Sequence, residues 1–482
     1  MAHTVLDESI PVERYFEEIS RIPRNSGQEE KIAGYLMKFA VQRGLEVYED
    51  AIHNVVIRKK ASPGFEDREP VMLQAHVDMV CVKTPESRHD FTRDPIALAA
   101  ENGLVRALDT SLGADDGFGV AYMLALLDDD TLRHPLLECV FTVREEIGCQ
   151  GVKALDVTQL KARRLISLDG CEDTNTYVAN FRSDLVVLEK EAVWGSPCGR
   201  SVRVEVKDVY TNVYDGVTHQ ECGNGVKILA RLLKAAAAGV DGLRLAELNG
   251  GAAENLIPER AEAVFCYTGS DFESLRSLLE SAFDQMVQEI ENPACAGRLT
   301  VSETEAPSRA LSPEDSRALV NLLFLLPNNT FQAAGERMTS VSNTGVVRLS
   351  EKKMEIILSS RSRYVSSAAE LLRRYQALAE LSGFSFETSV RYESWPYQKD
   401  SRLRALANRV TEELYGYTLE EQVAAGGLEI AEFVGRIPGL DAVELGANHK
   451  NLHSVDEYME LESFHRMYQV VRTMLEKMAL EP

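Results

Sequence analysis

Five short segments carry side chains that could do chemistry. His76 and Asp78 form an H-x-D pair at the end of the apolar run VMLQA. Residues two apart on a strand point the same way, so this carboxylate can hydrogen-bond the imidazole and fix its tautomer. A polar strand end without a task is the ordinary alternative. Gly113-Ala114-Asp115-Asp116-Gly117 sets two acids among glycines, giving a flexible backbone and concentrated negative charge. A loop with a helix-capping aspartate would look the same. Glu145-Glu146 follow the apolar LLECVFTV, and adjacent acids repel unless a cation or a proton intervenes. Asp169 ends LISL, and His453 lies late, in LHSVDE. Each reads as structural when taken alone. In chain order they make a pattern: H-x-D, G-A-D-D-G, E-E, a strand-end Asp, a late His.

The elements that must position them can be read from the same rows. VMLQA, LLECVFTV and RRLISL are apolar runs that end in polar residues, the layout of buried strands whose carboxyl ends present a site. The glycine-rich start of DTSLGADDGFGVAYMLALL reads as a loop, with Gly119 to Leu127 the following helix. Ser26 and Glu29 form an S-x-x-E capping box for a helix through Ile32, Tyr35, Leu36 and Phe39, with Gly44 at its C′ position. After about residue 185 the texture changes to alternating strands such as RSVRVEVKDVY and amphipathic helices such as GNGVKILARLLKAAAAG. Near Trp395 it returns to α/β. The expected architecture is therefore a discontinuous α/β domain, 1–185 and 396–482, with an α+β insertion at 186–395.

Composition narrows the functional class. The 482 residues hold 75 acidic and 52 basic side chains, a formal net charge of −23, which argues against nucleic acid or an anionic membrane surface as partner. The N-terminal stretch lacks the basic region and apolar run of a secretory signal, and GFGVAYMLALL is far shorter than the roughly 20 residues of a membrane span. A cytoplasmic protein is expected. None of the eight cysteines forms a C-x-x-C pair, so they are expected to be reduced and buried, without a structural zinc site.

The ordered segments LQAHVDMV, DTSLGADDGFGVA, FTVREEIGCQG, LISLDG, NGGAAENLIPERA, NLLFLLPN, SNTGVV, AGGLE and LHSVDE resemble the M20 metallopeptidases, most of all their cytosolic Xaa-His dipeptidase branch. The resemblance implies a zinc-peptidase α/β domain with a mixed sheet and an inserted lid, through which a homodimer forms. It implies two divalent ions, Zn²⁺ foremost, with Mn²⁺ or Co²⁺ as alternatives. Asp115 would bridge them, His76 and Asp169 would complete one site, and Glu146 and His453 the other. Asp78 would orient His76, and Glu145 would be the general base. Cys171, two residues past Asp169, would line the pocket but is not needed as a ligand. Asn255 and Arg361 match lid positions that face substrate. Arg361 suits a substrate carboxylate by a bidentate pair, with a surface strand arginine as the alternative.

The lid departs from the family pattern. Val213 stands where the resemblance expects an oxyanion-stabilising histidine, and Ala425 stands where another histidine is expected. His219 is the candidate replacement donor. These departures leave the metal set intact and keep three readings open. The first is a dipeptidase for Xaa-His or carnosine-like substrates. The second is a deacylase of N-acyl amino acids or related amides. The third is a metal-bound but impaired relative.

Overall fold

VMLQAH and LECVFT carry no polar alternation, and both strands are buried along their whole length. That is the signature of a strand covered on both faces. A computed structural model describes residues 4–209, 223–289, 295, 297–334, 337–424 and 426–480, with backbone alone at 329–334 and 337–339. These residues fall into two compact units: Met1–Asn180 with Trp395–Ala424 and Leu428–Pro482, and Phe181–Ser394 with Ala425–Gly427.

The first unit is built on six strands: β1 (Glu46–Glu49), β2 (Val55–Lys59), β3 (Val71–His76), β4 (Leu137–Thr142), β5 (Arg164–Ser167) and β6 (Asp441–Glu444). Their order is β1-β2-β4-β3-β5-β6. The β4-β3-β5-β6 portion is parallel and the β1-β2-β4 portion antiparallel, so the sheet is mixed. His76 pairs with Thr142, and Gln74 with Ser167, so the segments after β3, β4 and β5 leave from one edge. Ligand sites in parallel sheets form at that carboxyl edge.

The helix Ala114–Asp128 is buried almost throughout and packs with Pro11–Ser20 and Leu461–Leu480 in the core of this unit. It starts earlier than the expected Gly119, although Asp115 and Asp116 depart from helical φ/ψ. The expected capping box does not form. The helix Glu30–Gln42 has Glu29 at its N-cap without a side-chain cap, because the Ser26 hydroxyl donates to Asp78 Oδ2 at 2.7 Å. The Glu29 carboxylate accepts instead from Gly27 N and Arg144 N.

The second unit is a nine-stranded antiparallel sheet. Alternate residues, such as Val202, Val204 and Val206 or Met354, Ile356 and Leu358, face the helices Gly225–Gly239, Phe272–Gln288, Pro313–Leu325 and Val365–Ser382. Asn224, Asp271 and Ser312 cap the first three of these by accepting from a backbone N–H three residues on.

The molecule is thus α/β with a mixed sheet plus a second, α+β unit. Among the described residues no helix is long and apolar enough to cross a membrane. The seven described cysteines are all free thiols. Cys81, Cys171 and Cys198 are half-exposed rather than buried.

Candidate active site

His76, Asp115, Glu146, Asp169 and His453 come together at the carboxyl edge of the parallel strands. His76 ends β3 and is 1 % exposed. Its Nε2 lies 2.9 Å from Asp115 Oδ1 and 3.6 Å from Asp169 Oδ1. On the other side of Asp115, Oδ2 lies 3.4 Å from His453 Nε2, which is also 3.1 Å from Glu146 Oε1. The two oxygens of one carboxylate therefore face two different imidazoles. His453 takes a left-handed backbone, φ 60°, a region that few non-glycine residues occupy.

Asp78 binds both halves of the cluster. Its backbone carbonyl lies 3.1 Å and its carboxylate 3.5 Å from His76 Nδ1, and the carboxylate oxygens accept from Glu145 N at 3.0 Å and Glu146 N at 3.3 Å. One buried aspartate thus fixes the imidazole and the Glu145-Glu146 backbone together. Glu145 is half-buried beside them, and the Cys149 thiol donates to its Oε1 at 3.4 Å.

The charges are strongly coupled. Burial opposes a charged His76, yet Asp115, Asp169 and Asp78 overcome it and hold the ring well above its ordinary pKa. Hydrogen bonds to Asp115 and then Glu146 raise His453 to about 10. Burial, with Asp115 and Glu146 adding repulsion, raises Asp169 to about 6. Burial likewise lifts Glu145 well above the usual carboxylate range, helped by Asp169, Glu429 and Glu146. So many acids in one place are stable only if protons or cations share the site.

Among the described residues, three sets of side chains are close enough to hold a metal ion: His76, Asp116 and Asp169; His76, Glu145 and Glu146; Asp115, Glu146 and His453. Asp116 is the weakest donor among them, because its two oxygens accept from His76 N and Gly119 N. It is fully buried and holds the backbone rather than facing open space.

Four contributors escape a reading by local pattern. Arg24, 2 % exposed, donates from Nη1 to Val77 O at 3.1 Å and from Nη2 to Gly113 O at 2.5 Å. Glu457 accepts from the amides of Leu112, Gly113 and Ala114 at 2.8–3.0 Å, at the start of the helix that carries Asp115. Glu429 accepts from Thr142 Oγ1 and Gln74 Nε2 behind the sheet, and burial pushes it up to about 8. Cys149 touches Glu145. Glu457 lies in LHSVDE, Glu429 in AGGLE and Cys149 in FTVREEIGCQG, segments already singled out, whereas Arg24 lies in none of them.

Asp169 is held by a close backbone approach. Gly170 N donates to Leu445 O at 3.2 Å, and a methyl group at Gly446 would overlap the Gly170 carbonyl. Gly446→Ala is therefore expected to cost about 1–3 kcal/mol and to move Asp169. Thermal melting and metal titration of the variant check this, and unchanged values for both would refute it.

Asn255 lies exposed in the turn between strands of the second unit. Arg361 lies in the strand Lys353–Ser362 of the same unit and is 6 % exposed, so it is not a surface arginine. Val213, His219 and Ala425 fall outside the described residues.

The parallel portion of the mixed sheet thus carries an imidazole–carboxylate cluster at its carboxyl edge, where α/β enzymes place their sites. Comparison with known proteins agrees. The model of peptidase family M20/M25/M40 matches residues 72–477. The cytosol non-specific dipeptidase of Escherichia coli K12 is 32 % identical over 477 residues, 97 % of each chain. The crystal structure of the aminoacylhistidine dipeptidase from Vibrio alginolyticus superposes with a TM-score of 0.88 at 27 % identity, covering 98 % of this chain and 97 % of that one. A tripeptidase from Staphylococcus aureus shares the fold at a TM-score of 0.58 and 16 % identity, over 99 % of this chain and all of its own. The chain belongs to peptidase family M20/M25/M40 and is a hydrolase.

Proposed function

We propose that this chain is a two-metal dipeptidase that hydrolyses the amide bond of small dipeptides, Xaa-His and carnosine-like peptides among them. The observation that carries the reading is Asp115, whose two oxygens face His76 on one side and His453 on the other. The names of the Escherichia coli and Vibrio alginolyticus relatives support the substrate class.

The donor set fits the group it would hold. Two imidazoles and three carboxylates suit Zn²⁺, and Mn²⁺ or Co²⁺ also. His76, Asp169 and one Asp115 oxygen would hold one ion, and Glu146, His453 and the other Asp115 oxygen the second. Bound there, divalent cations polarise the scissile carbonyl and lower the pKa of the attacking water. Glu145 receives the proton of that water and returns it to the leaving amine. Asp78 keeps His76 oriented, and its grip on Glu145 N and Glu146 N holds the base in register with the cluster. Arg361 is proposed to meet the substrate carboxylate. The proposal includes a cytoplasmic homodimer formed through the second unit.

The test is reconstitution with each metal, followed by a panel of carnosine-like peptides, simple dipeptides and N-acyl amino acids. Two equivalents of metal per chain and turnover of dipeptides are expected. Turnover of acyl amino acids alone would favour a deacylase, and absence of turnover on the whole panel an impaired relative.

Metal uptake should also release protons. Without metal, His453 stays charged up to about pH 10 and His76 is raised as well, whereas a metal takes the neutral ring. Affinity should therefore weaken as pH falls, by about tenfold per unit for each proton displaced. Calorimetry at pH 7 in buffers of different ionisation enthalpy counts those protons. A count of zero would contradict the charge state assigned to the cluster.

A further inference from the structure

Glu444 ends β6 inside the apolar run DAVEL and is 1 % exposed. A buried carboxylate is expensive unless it is paired. Other buried acids of this unit have partners. Glu138 bonds Arg58 and two backbone amides, Asp173 pairs with Arg466, and Glu29 and Glu429 each satisfy one oxygen. Glu444 Oε1 has no hydrogen-bond partner among the described residues.

Glu444 lines a cavity of about 140 Å³ together with Gly170, Cys171, Tyr177 and Gln422. The cavity wall begins at the residue after Asp169, so it adjoins the metal cluster. A second acid on the wall, Glu172, is already taken, since Lys450 pairs with it and Asn175 Nδ2 donates to it at 2.6 Å. Glu444 alone on this wall is left for a cation that arrives from outside.

The space is small, a few water volumes, and excludes a long side chain. The chemistry asks for a compact cationic donor held near the scissile bond. In an unblocked dipeptide the free amino group sits one carbon from the scissile carbonyl, or two in a β-alanyl peptide, so it lies close to the cluster when that carbonyl is bound. We infer that Glu444 receives the free amino group of the substrate's N-terminal residue, so that the site selects unblocked peptides over N-acylated ones. The inference rests on the dipeptidase reading above. It assigns Glu444 a part in substrate choice and none in the chemistry of the cluster.

The test compares an alanyl dipeptide with its des-amino analogue, in which propionyl replaces alanyl, on the metal-loaded enzyme. The wild-type protein is expected to prefer the alanyl substrate by about 10²-fold in kcat/KM, the effect of losing one partner of a buried charge-assisted hydrogen bond. Glu444→Gln should remove most of that preference, chiefly through KM for the alanyl substrate, and leave the propionyl substrate within about threefold. Gln422→Lys puts a competing ammonium at the cavity rim and should reduce the preference without altering Glu444. This second variant decides the matter if Glu444→Gln fails to fold. The inference is overturned if both variants keep the wild-type preference, or if Glu444→Gln lowers both substrates equally. If the wild-type protein cleaves only the propionyl amide, the dipeptidase reading itself fails, and that outcome is separate.

Discussion

Glu145→Gln should lower kcat by about 10²–10⁴-fold while both metal sites still fill. The glutamine is nearly the same shape and keeps the backbone N–H that Asp78 holds at 3.0 Å. What it loses is the ability to take a proton. Burial, with Asp169, Glu429 and Glu146 nearby, raises the Glu145 pKa above the usual carboxylate range in the metal-free site. Glu146 is the comparison. It faces His453 at 3.1 Å, so Glu146→Gln should lower metal content first and activity as a consequence. Metal analysis beside single-turnover kinetics separates the two. Turnover of Glu145→Gln within tenfold of wild type, with metals bound, would remove Glu145 from the base role and with it the proposed chemistry.

The cluster was legible wherever chemistry and a strand end fall within a few consecutive residues. HVD, REEIG and SLDG each pair an unusual polar group with an apolar strand, and the fold gathers them because parallel strands share one carboxyl edge, while GADDG opens the buried helix Ala114–Asp128. The supports were not legible, because each spans the chain. Ser26 reads as half of a capping box until the fold places Asp78 beside it, 52 residues away. Glu429 reaches Gln74 across 355 residues, a pairing that neither AGGLE nor LQAHVDMV shows locally. Glu444 sits at the end of an ordinary apolar strand, and only its missing partner distinguishes it. Local spacing reports which side chains share a face. It does not report which buried polar groups need each other.

Arg24→Met is expected to disable the protein without touching any metal donor. The guanidinium spans two segments, the β3 end at Val77 and Asp78 and the loop at Gly113, and so sets the distance between His76 and Asp115. It also accounts for the glycines around the paired aspartates. A Cβ at Gly113 would lie 2.6 Å from Arg24 Nη2, and one at Gly117 would lie 2.8 Å away. The glycines therefore make room for the arginine, beyond any flexibility they add. Burial works against its charge, and Glu457 with Asp78 and Asp116 compensates. Removing the cation leaves those acids uncompensated and three buried carbonyls with a donor lost, at about 1–3 kcal/mol for each group left unsatisfied. Melting should drop by several degrees, and metal affinity should fall with it, since His76 and Asp115 lose their common brace. Arg24→Lys keeps the charge but cannot reach both segments with a planar fork, so it should recover stability more than metal binding. A Met variant that melts within one degree of wild type and binds two metals would show that the cluster is held by Asp78 and Glu457 without Arg24.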